Sequence, residues 1–217
     1  MLQSKIAVEF EDDVEKVLDF WFPAHLRDDA QVMRDQFTWW FGGGAHAQIK
    51  TRFMPLLELA SFGALNHWAH FPYSRLALII VLDQFSRCAY KGTPRMYAQD
   101  YKAAALASDG LLGGHYEALR TPWEKTFFFM PLGHAENLLH LSMAVHCAEM
   151  LAAQATPATA AILAHSASQA RAHRDVVARF GRQPHRNPIL GRASTPEELA
   201  YIARGEFVHE RPIPALA

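Results

Sequence analysis

A chain of 217 residues, half of them hydrophobic and a fifth charged, fits one sizeable domain with a substantial core. Its net charge of −1 excludes a molecule-wide basic field for nucleic acid or anionic lipid. The longest apolar run (residues 76–82) is too short for a membrane span, the N-terminus lacks a secretory-signal core, and Cys88 and Cys147 are far apart, together pointing to a reducing cytoplasm.

Helix signals recur along the chain and strand signals do not. "EDDVEKVLDFWFP" sets Val14, Val17, Leu18 and Trp21 at helical spacing, with acids first and Pro23 as a stop. A second helix is expected from about Ala45 to Phe62, bent or restarted near Pro55 and closed by Gly63. "YSRLALIIVLDQFSRCAY" reads as a third, buried on several faces. Thr93 and Pro94 suggest an N-cap and first-turn proline for a helix ending near Gly110. Thr121 and Glu124 form a capping-box pattern whose helix is expected to be interrupted at Pro131. "HAENLLHLSMAVHCAEMLAAQ" follows, then a helix opened by Thr156 and Pro157 and stopped by Gly181. Thr195, Pro196 and Glu198 open the last one. The expectation is an all-α single domain over residues 1–217, with about eight helices and short loops.

Three constellations carry unusual chemistry. From Arg171 to Arg192 there are six Arg and one acid, Asp175, so this stretch carries +5 with His neutral and the remainder carries −6. Arg forks suit carboxylate or phosphate. Pro184 and Pro188 bracket "HRN" and favour extended backbone before each proline. The competing role for this cluster is bracing: helix-end carbonyls and internal acids satisfied by Arg, with Asn187 holding the turn. Because the prolines already restrict the backbone, Arg186 is the member assigned to a ligand.

Asp83 and Arg87 lie four apart after five aliphatics, so they pair locally or Asp83 orients a distant Arg or His. His134 stands two residues before Glu136, and Glu136 and His140 are spaced to share a helix face. Their spacing is not a zinc motif, and no metal or cofactor is expected. His134 fits a hydrogen-bonding or proton-transfer group, and His173 stands similarly beside the Arg-rich stretch. The aromatic clusters "DFWF" and "FTWWF" read as core, with self-association left open.

The stretches "VLDFWF" (17–22), "LDQFSRCAYKGTP" (82–94), "PLGHAEN" (131–137) and "RFGRQPHRNPILGRASTPEE" (179–198) resemble the bacterial family of domain of unknown function 924. That resemblance implies a tetratricopeptide-like right-handed array of antiparallel helix pairs, and it implies no activity. The chain departs from the family pattern at Cys88, where Asn is associated, and at Ala135, where Ser is.

The expected pocket is lined by Asp83, Arg87, His134, Glu136, His173, Arg182, His185, Arg186 and Asn187, with His134 and Glu136 as candidate catalysts. A small phosphate- or carboxylate-bearing molecule is the expected ligand, with His-assisted hydrolytic or transfer chemistry. The alternatives are a helical scaffold for an acidic peptide or protein partner and, more weakly, RNA binding through the basic loop. A membrane partner is not expected.

Overall fold

Long helices dominate because apolar residues recur at helical spacing and few β-branched runs compete. The computed structural model describes residues 2–26, 29–205 and 207–208, with no strand among them. Its helices are α1 (Leu2–Trp21), α2 (Ala30–Phe41), α3 (His46–Arg52), α4 (Met54–Phe62), α5 (Pro72–Ile80), α6 (Ser86–Ala89), α7 (Asp100–Leu112), α8 (Pro122–His134), α9 (Leu138–Ala153), α10 (Ala160–Phe180), α11 (Asn187–Leu190) and α12 (Pro196–Arg204). A π-helical turn, Val81–Phe85, joins α5 and α6 into one rod. Counted that way, the described residues hold eleven helices, not about eight.

The excess has identifiable sources. α2 ends in the "FTWWF" aromatics and is capped by Asp29, which accepts from the Gln31 and Val32 N–H groups at 3.0 Å each. α3 and α4 are separate helices that break at Phe53, with Pro55 in the first turn of α4. α11 is a single turn inside the Arg-rich stretch.

Three local expectations are corrected. α8 is not interrupted at Pro131: it runs on to His134, its proline buried within the helix. An interior proline costs about 3 kcal/mol, but here Trp123, Phe127, Phe128 and Leu132 are all buried on the same helix and hold it straight through. The Thr93–Pro94 signal opens only a 3₁₀ turn, Pro94–Tyr97, with no side-chain cap; α7 starts afterwards and continues to Leu112. Gly110 is therefore no stop. A Cβ at this position would collide with the Phe128 ring and meet Arg75 Cδ at 2.7 Å, so glycine permits a close helix contact.

The core runs from Val17 on α1 to Ala170 on α10. Trp21 and Trp40 lie within it, the Trp40 indole N–H donating to the Trp21 carbonyl at 2.9 Å, and Phe127 stands edge-on to Trp21 at 5.3 Å. α7, α8, α9 and α10 each pack on the next, and α8 also packs on α5. That packing brings the end of α8, the π turn and the start of α7 together with the Arg-rich stretch.

Candidate functional site

The α5 rod is sealed from Leu76 through Phe85, yet it carries a carboxylate, Asp83, with no exposure. The π turn supplies it with neighbours: widening one turn re-aims side chains, and such turns recur at functional sites. Asp83 Oδ1 meets His134 Nδ1 and Arg87 Nη1, each at 2.8 Å, while Gln84 Nε2 donates to Oδ2 at 2.5 Å. Burial alone would raise this carboxyl, but Arg87, His134 and Gln84 prevail and hold it at about 2.

An ionised carboxylate only accepts, so His134 Nδ1 carries the proton. In the neutral imidazole Nε2 is then the acceptor, and it makes no hydrogen bond with any described residue. The His134 side chain is 21% exposed, so Nε2 belongs to a group that a ligand can reach. This is the arrangement by which a buried acid fixes a histidine tautomer and stabilises the imidazolium that forms on proton transfer.

Behind the pair, Asp100 at the start of α7 joins two arginines. Arg87 Nη2 donates to Asp100 Oδ2 at 3.0 Å, and Arg186 Nη1 donates to the same oxygen at 3.1 Å. Arg186 Nη2 donates to the His134 carbonyl at 2.9 Å, tying the Arg-rich stretch to the end of α8. The Tyr97 ring lies under both guanidinium groups, at 4.5 Å from Arg186 and 5.9 Å from Arg87. Arg186 is buried, and its Nε has no hydrogen-bond partner among the described residues. Burial and the nearby Arg87 lower its guanidinium pKa from the usual value.

A second cluster holds the stretch itself in shape. Arg192 grips both Glu136 oxygens, at 2.7 and 2.9 Å, and Gln183 N–H adds a third bond to Oε1 at 2.8 Å. Burial would raise Glu136, yet these donors lower it. Arg182 grips Glu198 in the same forked way at 2.6 and 2.7 Å. That hydrogen bond leads the forces holding Glu198 at about 2, helped by the Thr195 N–H and Asn187. Asn187 is fully buried; it donates to Ser194 at 2.9 Å and accepts from Arg192 at 2.9 Å. This anchoring puts Asn187 in helical backbone before Pro188, overriding the extended geometry expected there. Arg171, Arg174 and Arg179 pair with Glu149, Asp175 and Glu197.

The expected lining thus falls into parts. Asp83, Arg87, His134 and Arg186 form one cluster, and Glu136, Arg182 and Asn187 belong to the other. His173 contacts Gln183 at 3.3 Å, and His185 packs near Phe207 at 5.8 Å. His134 ends α8, and Glu136 lies in the connection before α9, so Glu136 and His140 do not share a helix face as their spacing suggested. Sequence reasoning missed Asp100, Gln84 and Tyr97. Asp100 looks like an ordinary first-turn acid, and nothing local marks its pairing with Arg186, 86 positions away. Cys88, one of the departures from the family pattern, is a buried thiol pushed up to about 11, chiefly by burial, and is no ready nucleophile.

The fold is shared with a known structure. A solved structure of a protein of unknown function from Agrobacterium tumefaciens superposes with a TM-score of 0.64 at 31% identity, covering 88% of this chain and 97% of that one. No curated protein matches the chain. The family described as bacterial protein of unknown function, DUF924, matches residues 17–206, a span that contains both clusters.

Proposed function

The chain belongs to the bacterial DUF924 family, and from its geometry we propose that it binds a small phosphate- or carboxylate-bearing molecule at His134 and uses Nε2 as a proton acceptor in hydrolytic or transfer chemistry. The Asp83–His134 contact carries this reading. Two arginines and two aspartates balance around it, so the cluster is neutral with His134 neutral and gains one positive charge when Nε2 takes a proton. An anion at the imidazole is the natural counter-charge, and proton uptake and anion binding then favour each other reciprocally. Arg186 positions the site through the His134 carbonyl. Glu136 is assigned to bracing, since Arg192 and Gln183 already occupy both of its oxygens.

The consecutive packing of α7 to α10 supports a tetratricopeptide-like array of antiparallel pairs within one domain. Each Arg from 171 to 192 has a carboxylate within ion-pair distance, which counts against an outward basic groove for an acidic peptide or RNA. Calorimetry with inorganic phosphate in buffers of different ionisation enthalpy tests the proposal. Proton uptake should accompany binding, and His134→Gln should abolish it. Phosphate binding that is independent of pH and unchanged by His134→Gln rejects it.

A further inference from the structure

Away from this cluster, α1, α2 and α3 enclose an open cleft of about 740 Å³, within the range of small-molecule sites. Asp83, Arg87, His134 and Arg186 do not line it. Its floor is aromatic: Phe20 and Trp39 meet edge to face at 5.1 Å, both half-buried. On the α2 side the lining includes Gln36, 7% exposed, whose carboxamide makes no hydrogen bond with any described residue and whose Nε2 is sealed from solvent. A buried amide without partners is costly unless something satisfies it. Turning the amide over exchanges its ends, so it can match either a donor or an acceptor.

Two charged groups around the cleft also have no ion-pair partner among the described residues. Asp19, on α1, has no hydrogen bond or ion pair with a described residue. Arg52, on α3, lies over the Phe20 and Phe53 rings at 5.2 and 5.1 Å, and its one hydrogen bond is a long 3.4 Å contact to Gln48. Of their neighbours, Lys16 is paired with Asp13 at 2.8 Å, and Asp35 accepts from the neutral Gln31 amide at 2.7 Å. One carboxylate, one guanidinium and one carboxamide over an aromatic floor form a complementary set. An anion would face Asp19 and a cation would face Arg52, so either alone meets like charge. A zwitterion satisfies both.

We infer that this cleft binds a short peptide or peptide-like zwitterion. Asp19 takes the ammonium, Arg52 the carboxylate, Gln36 the peptide amide, and Phe20 with Trp39 an apolar side chain. Calorimetry of the full chain with leucyl-phenylalanine, its N-acetyl form and its C-terminal amide tests the assignment. The free dipeptide should bind saturably, and each blocked form should bind about tenfold more weakly, as the loss of one charge-assisted bond implies. Asp19→Asn, a surface change, should weaken the free dipeptide by a similar factor without further weakening the N-acetyl form. His134→Gln should leave dipeptide binding unchanged, which separates this site from the phosphate proposal. Absence of saturable dipeptide binding, or Asp19→Asn binding free and acetylated forms as the parent does, overturns the inference.

Discussion

Arg179 and Arg186 stand in the same Arg-rich stretch and meet very different surroundings. Arg179 is 52% exposed and pairs with Glu197, itself 61% exposed, so water screens both charges. Arg186 is 8% exposed and meets Asp100 and the His134 carbonyl where little water reaches. Residue type and neighbourhood in the chain are alike; burial sets the energetic weight. A run of basic residues therefore says where charge is concentrated, while the packing of distant helices says which charge matters.

The sharpest break of this comparison is Arg186→Ala. Its removal leaves Asp100 beside Arg87 alone and the His134 carbonyl without its donor, and should cost about 3–5 kcal/mol in urea denaturation. Arg87→Ala should cost a similar amount by leaving buried Asp83 with only His134 and Gln84 and no guanidinium. If Arg186→Ala proves neutral or stabilising, the guanidinium is held for a ligand and not as a brace.

Acid sharpens the same contrast. Asp83 has a folded value of about 2 against an ordinary 3.8, so its contribution is complete above the ordinary value and is lost as pH falls toward 2. The stability difference between the parent and Asp83→Asn should therefore shrink by about 2 kcal/mol between pH 6 and pH 2, read from urea midpoints. A pH-independent difference would mean that the buried carboxylate is not held ionised by its partners.

Smaller effects lie in the bracing cluster. Glu136→Gln keeps the shape but loses the charge that Arg192 grips, and should cost about 1–2 kcal/mol, measured by the same denaturation. Arg179→Ala should change stability by no more than about 1 kcal/mol, and less at high salt. A larger loss at Arg179 than at Arg186 would reverse the ranking by burial.

Much of the fold was legible because helix signals are local. The Thr121 and Thr195 capping boxes form as their spacing suggests, and Gly181 closes α10 with φ of 72°. α2 was obscured because its aromatics look the same in a core strand, a loop cluster or a helix. Pro131 misled because local propensity counts the lost N–H but cannot count the ring packing around it. The Asp83–Arg87 pair was legible as a four-residue spacing, whereas His134 lies 51 positions from Asp83, and no local pattern records that distance being closed.

Composition and periodicity by themselves determined the helical class, the Thr121 and Thr195 capping boxes and the stretch in which Arg concentrates, since each depends on residues within a turn or two. Tertiary structure alone decided which arginines are buried, that Asp100 joins two of them, and that no described residue engages His134 Nε2. It likewise set Asp19, Gln36 and Arg52 around one cleft. The reason is physical: charge interactions take their strength from solvent exclusion and separation in space, and both arise only when helices distant in the chain pack together.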